Sequence, residues 1–374
     1  MKRRLLPILM TLVLVCALPI WAAFVTSGDV TNPLVSTAGA SEPNLQGMID
    51  RANAGATITL NSNTEIAATL QITKNLTLDL NGCTLRMTGT GSVLKVSGRA
   101  TLTITDSSAA KSGTITGGNA EYGGGVYVDD YAALKMTGGC ITGCHASRGG
   151  GGIYSSGNLY MGGTAKIEKC TGSDDAIWNR ENSDIYADGG TVDGTVNNQG
   201  TIKRSEGAAA ETVFNGTVYN RSAGTIIAGI YNGTVENNGT ISGGTFCGGV
   251  TIRKGSWVWE RTGSISGGTF YSSIVNEAGP ERVTGVTFAV TFDRGDGTKT
   301  EPTPVKYNDL VPKPTAPTKS GYTFTGWEDA NGAYDFNTPV TGPLTLTAKW
   351  EKVPSSGGYY YYHPTTDTKA TDTK

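Results

Sequence analysis

Short apolar stretches separated by glycine recur along the middle of the chain at a nearly fixed spacing. The isoleucines Ile115, Ile141 and Ile167 stand at equal intervals, with glycine-rich turns between them. A fixed period of roughly 20 to 50 residues is typical of stacked repeat architectures. The runs are rich in β-branched residues, and none has the periodicity of a helix. The pattern therefore predicts a parallel β-helix, in which Ile and Val point into the shaft and glycine forms the corners.

One amphipathic segment precedes this array. Ser41-Glu-Pro-Asn44 predicts a helix start with proline in the first turn, and Leu45, Met48 and Ile49 fall on one helical face. We expect this short helix to cap the open end of a shaft formed by residues 41–287. The strand signals then run almost continuously from residue 56. At a spacing of roughly 24 residues they predict about ten coils.

The repeat units also carry a family resemblance. Asn75-Leu-Thr-Leu-Asp-Leu-Asn-Gly82, the Gly-Gly-x-Ile-Thr-Gly units and the Gly-Gly-Thr-Phe units resemble the right-handed β-helix domains of bacterial surface proteins, which have the pectate-lyase-like superfold. The resemblance covers residues 56–287 and implies an all-β, right-handed parallel β-helix. It implies little about activity. In the position where relatives place an asparagine, Asn119 is kept but His145 and Thr171 stand in later copies.

A change of composition near Phe288 predicts a second module. Gly321-Tyr-Thr-Phe-Thr-Gly-Trp327 and the Ala348-Lys-Trp350 end make residues 288–352 resemble the Listeria–Bacteroides (internalin B-type) repeat, a small β-grasp-like module of secreted bacterial proteins. We expect it to fold without the shaft. Because a module of this size has a thin core, aromatic side chains should supply most of its burial. The expected core residues are Phe292, Tyr322, Phe324, Trp327, Phe336 and Trp350.

The sequence predicts no folded domain at either end of the chain. Residues 1–22 have a basic start and an apolar run that ends in Ile20-Trp-Ala22, as in a signal peptide cleaved before Ala23. Residues 23–40 are a linker, and residues 353–374 are a low-complexity, disordered tail. The sequence thus predicts export to the cell envelope, the cell surface or the medium. An uncleaved leader is the alternative and the only membrane contact foreseen.

Charge and residue usage narrow the chemistry. With 30 basic and 32 acidic side chains, the chain gives no electrostatic reason to expect nucleic-acid binding. It has only two histidines, and its six cysteines form no C-x-x-C pair. We therefore expect no metal site and no cofactor.

One acidic column is a candidate catalytic site. Aligning Ile185-Tyr186 with Val126-Tyr127 and Ile153-Tyr154 places Asp129 and Asp188 two coils apart, about 9–10 Å at the spacing of β-strands. That separation is at the edge of the inverting glycosidase range. Solvated turn carboxylates are the favoured interpretation, and we expect no catalytic residues.

Two cysteines share the repeat spacing. Cys144 and Cys170 lie one repeat apart, which predicts that they stack on neighbouring coils. Stacked Cα atoms about 4.8 Å apart are within reach of a disulfide, although parallel side chains fit its torsion poorly. A disulfide and a ladder of free thiols both remain open.

These observations favour a non-catalytic, exported bacterial surface protein. Its β-helix and module would serve adhesion, with glycans or host or cell-wall surface components as partners. The alternatives are a polysaccharide hydrolase or lyase, and a carbohydrate-binding protein that performs no chemistry.

Overall fold

The computed structural model describes residues 25–26, 44–172, 175–255 and 262–354, and the chain divides into two units, Met1–Val286 and Thr287–Lys374. Most of the predicted leader and linker, and nearly all of the predicted tail, lie outside the described residues. None of the helices that are described is long and apolar enough to cross a bilayer.

The first unit is a parallel β-helix in which ten successive coils contribute to three ladders of parallel strands. The first ladder consists of Thr57–Thr59, Leu76–Asp79, Thr101–Thr105, Ala133–Met136, the first half of Asn158–Glu168, the first half of Asp184–Asp193, Thr201–Lys203, Thr225–Ile226, Thr240–Ile241 and Ser264–Ile265. The second ladder consists of Thr64–Ile66, Thr84–Met87, Thr114–Thr116, Cys140–Thr142, the second halves of the same two long strands, Val213–Phe214, Ile230–Tyr231, Thr245–Phe246 and Thr269–Phe270. The third ladder consists of Leu70–Ile72, Leu94–Val96, Val126–Val128, Ile153–Ser155, Ile177–Asn179, Val196–Asn198, Val218–Asn220, Val235–Asn237, Val250–Ile252 and Ile274–Asn276. The predicted fold class is confirmed.

The coils differ in length more than the repeat spacing predicts. In the third ladder, Leu94 and Val126 pair across a long coil, whereas Val235 and Val250 pair across a coil less than half as long. The longer coils carry their extra residues in a separate three-stranded parallel side sheet. Its strands are Asn119–Tyr122, His145–Gly149 and Thr171–Gly172.

The interior is built from columns of equivalent side chains. The inner column of the second ladder begins with aliphatic residues such as Ile115 and Ile141, which are fully buried. In the later coils it becomes a stack of nearly parallel rings whose centroids lie 4.7–5.0 Å apart. These rings belong to Phe214, Tyr231, Phe246 and Phe270. Ring stacking replaces branched aliphatic packing at the spacing that parallel strands impose.

The N-terminal edge of the shaft is covered, as the capping prediction requires. A helix spans Leu45–Arg51, and the Gln46 side chain exchanges hydrogen bonds with the backbone of Gln71 at the edge of the third ladder. Val25–Thr26 pairs antiparallel with Thr57–Thr59 and covers the first ladder. The helix start lies at the end of the predicted stretch, where extended Asn44 is the N-cap and accepts a hydrogen bond from the Gly47 amide at 2.9 Å. The expected proline in the first turn is wrong, because the first turn begins at Leu45.

The second unit contains a mixed five-stranded sheet. Its order is Thr303–Lys306, Thr287–Asp293, Leu344–Lys352, Tyr322–Asp329 and Gly332–Ala333, and the second and third of these strands are parallel. The strand that comes first in sequence, Thr287–Asp293, begins one residue before the predicted start of the module at Phe288.

The aromatic residues expected in the core of this module are buried to different degrees. Phe292 and Trp327 are buried, with ring centroids 4.9 Å apart. Phe324, Phe336 and Trp350 are half-buried, and the expectation for Tyr322 is wrong, because it is 39% exposed at a strand end. Aliphatic and small side chains, with Phe288, fill the rest of the core: Val290, Val305, Val311, Val340, Leu346 and Ala348.

Candidate functional site

Three aromatic side chains lie in register on consecutive coils of the third ladder. Tyr127 pairs with Tyr154, and Tyr154 pairs with Trp178. The two tyrosine rings stack with centroids 5.0 Å apart, and the Tyr154 and Trp178 rings are 6.4 Å apart. Their sequence neighbours fill the core, so the alternation of a strand turns these three rings away from the shaft. We call Tyr127, Tyr154 and Trp178 the aromatic column.

The side sheet packs against this column. Tyr122 on the first side strand has its ring centroid 4.9 Å from that of Tyr154 and 6.5 Å from that of Trp178. Trp178 lies so close to Gly149 that a Cβ atom there would be 1.8 Å from Trp178 Cε3. A residue without a side chain is therefore required at position 149 for the indole to occupy this place. The packing leaves Tyr154 buried, while Tyr127 and Trp178 are half-buried.

A shallow groove of about 530 Å³ lies beside the column, between Tyr122 and Tyr127. Polar side chains line most of the rest of it, namely Thr90, Ser92, Lys95, Asn119 and Glu121, and Gly91 and Ala120 complete the lining. The groove therefore combines aromatic rings with several hydrogen-bond donors and acceptors. A mixed lining of this kind is suited to a small polar ligand with some apolar surface.

The charges around the groove have both signs. Lys95 pairs in register with Tyr127 and holds its ammonium 5.1 Å from the ring centroid and 3.9 Å from a carboxylate oxygen of Asp129. Arg148 Nε lies 2.9 Å from Glu121 Oε1 on the side sheet. Burial raises the pKa of the Tyr127 phenol, and the neighbouring Tyr154 and Asp129 raise it further. A tyrosine phenol is protonated at neutral pH even at its ordinary pKa of about 10, so this phenol can donate a hydrogen bond.

A second pair of aromatic rings lies on the first ladder. Tyr160 and Tyr186 stack with centroids 4.2 Å apart and planes at 10°. The Lys203 ammonium lies 4.7 Å from the Tyr186 centroid and 2.7 Å from an Asp184 oxygen. Each ring face that meets the other ring is covered, and neither tyrosine lines the groove.

The predicted acidic column is wrong. Asp129 follows the third-ladder strand Val126–Val128, and its amide donates to the Val96 carbonyl on the preceding coil. Asp188 lies on the first ladder, where it pairs with Gly162. The alignment failed because the Ile-Tyr pattern occurs in two ladders: Ile185 stacks on Leu159 and does not continue the column of Ile153.

The Asp188 carboxylate is engaged in a local network. Its oxygens accept hydrogen bonds from the Ser205 amide at 2.7 Å and from the Ser205 hydroxyl at 2.6 Å. No group of three or more His, Cys, Asp or Glu side chains is placed to hold a metal ion within the described ranges.

Cys144 and Cys170 occupy equivalent positions on neighbouring coils. The next residues, His145 and Thr171, are register partners, and the Thr171 amide donates to the Cys144 carbonyl at 2.9 Å. Both cysteines are free thiols in this structure, and Cys144 is buried. The interaction with Cys170 lowers the pKa of the Cys144 thiol, and the interaction with Cys144 raises the pKa of Cys170.

The sequence interpretation missed Trp178 and Tyr122. Trp178 stands one coil after Tyr154, and Ile177 before it matches Ile153 before Tyr154, so the repeat pattern contained the signal. Tyr122 carried no such signal, because it lies in an extra strand outside the three ladders.

Comparison with known proteins identifies part of the second unit. Residues 288–349 match the model of the Listeria-Bacteroides repeat domain. The predicted resemblance of the module is confirmed over that range. No solved structure matches the chain.

Two curated relatives show similarity over short segments. A "Putative Gly-rich membrane protein" of Evansella cellulosilytica is 35% identical over 68 residues, which are 17% of this chain and 8% of that protein. Internalin H of Listeria monocytogenes is 41% identical over 71 residues, which are 18% of this chain and 13% of that protein. The chain thus covers only a small part of the length of these two relatives.

Proposed function

We propose that this chain is a non-catalytic, exported bacterial surface protein whose β-helix binds glycans. The binding surface is the groove between Tyr122 and Tyr127, at one end of the aromatic column. The module at residues 288–352 serves as an additional interaction module of the same protein.

The observation that carries the proposal is that Tyr122 and Tyr127, both packed against buried Tyr154, line a polar groove. Aromatic rings offer flat apolar surfaces with a polar edge, and sugar rings present C–H faces that pack on them. Lys95 and Glu121 supply a cation and a carboxylate within the same groove, where they can bind neighbouring hydroxyl groups. A groove of about 530 Å³ is large enough for a short oligosaccharide.

The surface location is supported by two independent features. Residues 1–22 have the composition of a secretory leader. The module matches the Listeria-Bacteroides repeat domain, and the two relatives are described as a membrane protein and an internalin.

The absence of catalysis is part of the proposal. Its support is that, of the two carboxylates considered for glycoside cleavage, Asp129 follows a third-ladder strand whereas Asp188 lies on the first ladder. General acid–base cleavage needs both groups on one scissile bond. A polysaccharide hydrolase or lyase remains the alternative.

A glycan-array screen of the full chain tests the proposal, run beside Tyr127→Ala and the control Tyr186→Ala. We expect the chain to bind a subset of the glycans on the array. Tyr127→Ala should lower the affinity for them about tenfold or more, and Tyr186→Ala should change that affinity by less than about twofold. Equal loss in both variants, or no retention of any glycan, would contradict the proposed site. The retained glycans are also incubated with the chain and assayed for new reducing ends and unsaturated products. If such products form, the chain is a polysaccharide-cleaving enzyme, and the proposal of a non-catalytic binding protein is wrong.

A further inference from the structure

The corner after the aromatic column carries an exposed tyrosine in an unfavourable backbone conformation. Tyr131 lies between the third-ladder strand Val126–Val128 and the first-ladder strand Ala133–Met136. Its φ is 64°, in the left-handed region, and its side chain is 81% exposed. Left-handed backbone is disfavoured for a bulky residue, whereas glycine and asparagine adopt it readily. An exposed ring offers little burial to offset that cost.

The same corner on the preceding coil carries Arg99, which also has a φ of 64°. Its guanidinium lies 5.5 Å from the centroid of the Tyr131 ring. Four residues earlier on the same two coils, Lys95 lies 5.1 Å from the Tyr127 centroid. The groove pair Lys95–Tyr127 is therefore repeated at the corner by Arg99–Tyr131.

The corner pair lies close to the groove along the chain. Four residues span at most about 14 Å even when fully extended, so Tyr131 cannot be farther than that from Tyr127. Asp129 and Asp130 lie between the two tyrosines and are partly or fully exposed. Two cations, two carboxylates and two rings thus follow one another from the groove to the corner. With nearly balanced charge, this surface is suited to an uncharged polyol rather than to a polyanion.

The corner is left-handed on both coils but carries Arg99 and Tyr131 instead of glycine or asparagine, so an exposed ring is held there at a cost in backbone energy. We infer that Tyr131 and Arg99 extend the glycan surface around the corner, and that the ligand is a linear, uncharged glycan chain of several sugar units. This inference rests on the proposed function. It adds that the chain length of the glycan is recognised: the groove holds a short segment, and the corner pair contacts the continuation.

Titration calorimetry of the full chain with cellobiose, cellohexaose, chitobiose and chitohexaose tests the inference. We expect at least one hexasaccharide to bind about tenfold more tightly than its disaccharide. Tyr131→Asn should remove most of this advantage and leave disaccharide affinity unchanged. The matched control is Tyr271→Asn, which replaces another exposed tyrosine of the shaft, one that is 67% exposed and outside the left-handed positions. It should leave both affinities unchanged.

Thermal unfolding separates a binding role from a structural one. Because asparagine tolerates the left-handed conformation, Tyr131→Asn should unfold at the same or a higher temperature than the unmodified chain. Unchanged hexasaccharide affinity of Tyr131→Asn would overturn the inference, and a lower unfolding temperature of the same variant would then assign Tyr131 a structural role. Disaccharide binding without a gain for either hexasaccharide would also overturn it and leave the groove proposal standing. If none of the four sugars binds, the inferred ligand class is wrong, and the array result alone then decides the groove proposal.

Discussion

The side-chain amide of Asn198 donates a hydrogen bond to Asn220 Oδ1 at 2.8 Å inside the shaft. Asn220 in turn donates to Asn237 Oδ1 at 2.7 Å, and Asn179 donates to Asn198 at 2.8 Å. All four are fully buried on consecutive coils of the third ladder. Each amide thereby satisfies its neighbour in an interior that would otherwise penalise it.

Breaking this ladder should destabilise the shaft. Asn220→Ala removes one hydrogen bond of the Asn198 amide, which keeps its bond to the Gly200 carbonyl, at about 0.5–1.5 kcal/mol. It also leaves the buried Asn237 Oδ1 without the amide that donates to it, at about 1–3 kcal/mol. Denaturant unfolding of the full chain should show a loss of about 2–5 kcal/mol. The control Asn232→Ala removes an exposed asparagine bond to Asn215 and should cost under about 0.5 kcal/mol. Equal losses would contradict the ladder as a stabilising element.

Acid should weaken a buried turn between the first and second ladders. Burial alone would raise the pKa of Asp106, but backbone amides of Gly113 and Gly82, which donate at 2.7 and 2.8 Å, hold that pKa below its ordinary value. A lowered folded-state pKa contributes stability above the unfolded value of about 3.9, and this contribution disappears as pH falls through the folded value.

Asp106→Asn should therefore cost about 1–3 kcal/mol at pH 7, and the difference from the unmodified chain should narrow below about pH 4. Urea unfolding of both chains at several pH values measures this difference in the free energy of unfolding. Asp130→Asn, at an exposed corner, is the control and should have little effect. A difference that stays constant from pH 7 to pH 3 would contradict this assignment.

Two cysteines should differ in their reaction with alkylating reagents. Burial and the nearby Glu168 raise the pKa of Cys140 to about 11, whereas Cys247 is exposed. The thiolate is the reactive form, so Cys140 should react slowly at pH 8 and faster as pH approaches 11. Mass spectrometry after timed iodoacetamide treatment measures both sites. If Cys140 is modified before Cys247 at pH 8, the prediction is wrong.

The second unit should fold without the shaft. Its core is its own, with Trp327 and Phe292 in edge contact at 4.9 Å. A fragment of residues 286–352 should give a β-sheet circular dichroism spectrum with a cooperative thermal transition. Trp327→Ala should abolish the transition, because the expected loss of about 3–5 kcal/mol equals the whole stability of so small a domain. Tyr322→Ala, at a half-exposed position, should retain it, and a random-coil spectrum of the unmodified fragment would refute the claim.

The fold could be predicted because glycine corners and β-branched strands recur with a visible period around Ile115, Ile141 and Ile167. The register of the coils could not be predicted, because the Ile-Tyr pattern occurs on two ladders. Only the strand pairing in the structure shows that Tyr186 stacks on Tyr160 and not on Tyr154. The side sheet was missed because it is an insertion without a counterpart in most coils.

The asparagine ladder escaped prediction for another reason. Asn215 and Asn232 each precede a glycine and lie at exposed corners. Asn198 and Asn220 are the same residue type but point into the shaft. Their side chains can be buried because each forms a hydrogen bond with an asparagine one coil away. Each asparagine stands two residues after a core valine, as in Val196-x-Asn198 and Val218-x-Asn220, so strand alternation contained a signal for the inward face. The hydrogen bonds between coils are seen only in the structure.

A crystal structure of the full chain soaked with cellohexaose or chitohexaose, or with the best glycan from the array, tests the central claim most directly. The account predicts sugar rings in the groove between Tyr122 and Tyr127, with Lys95 or Glu121 bonded to their hydroxyl groups. Sugar density confined to the Tyr160–Tyr186 pair or to the second unit, with the groove empty, would contradict it.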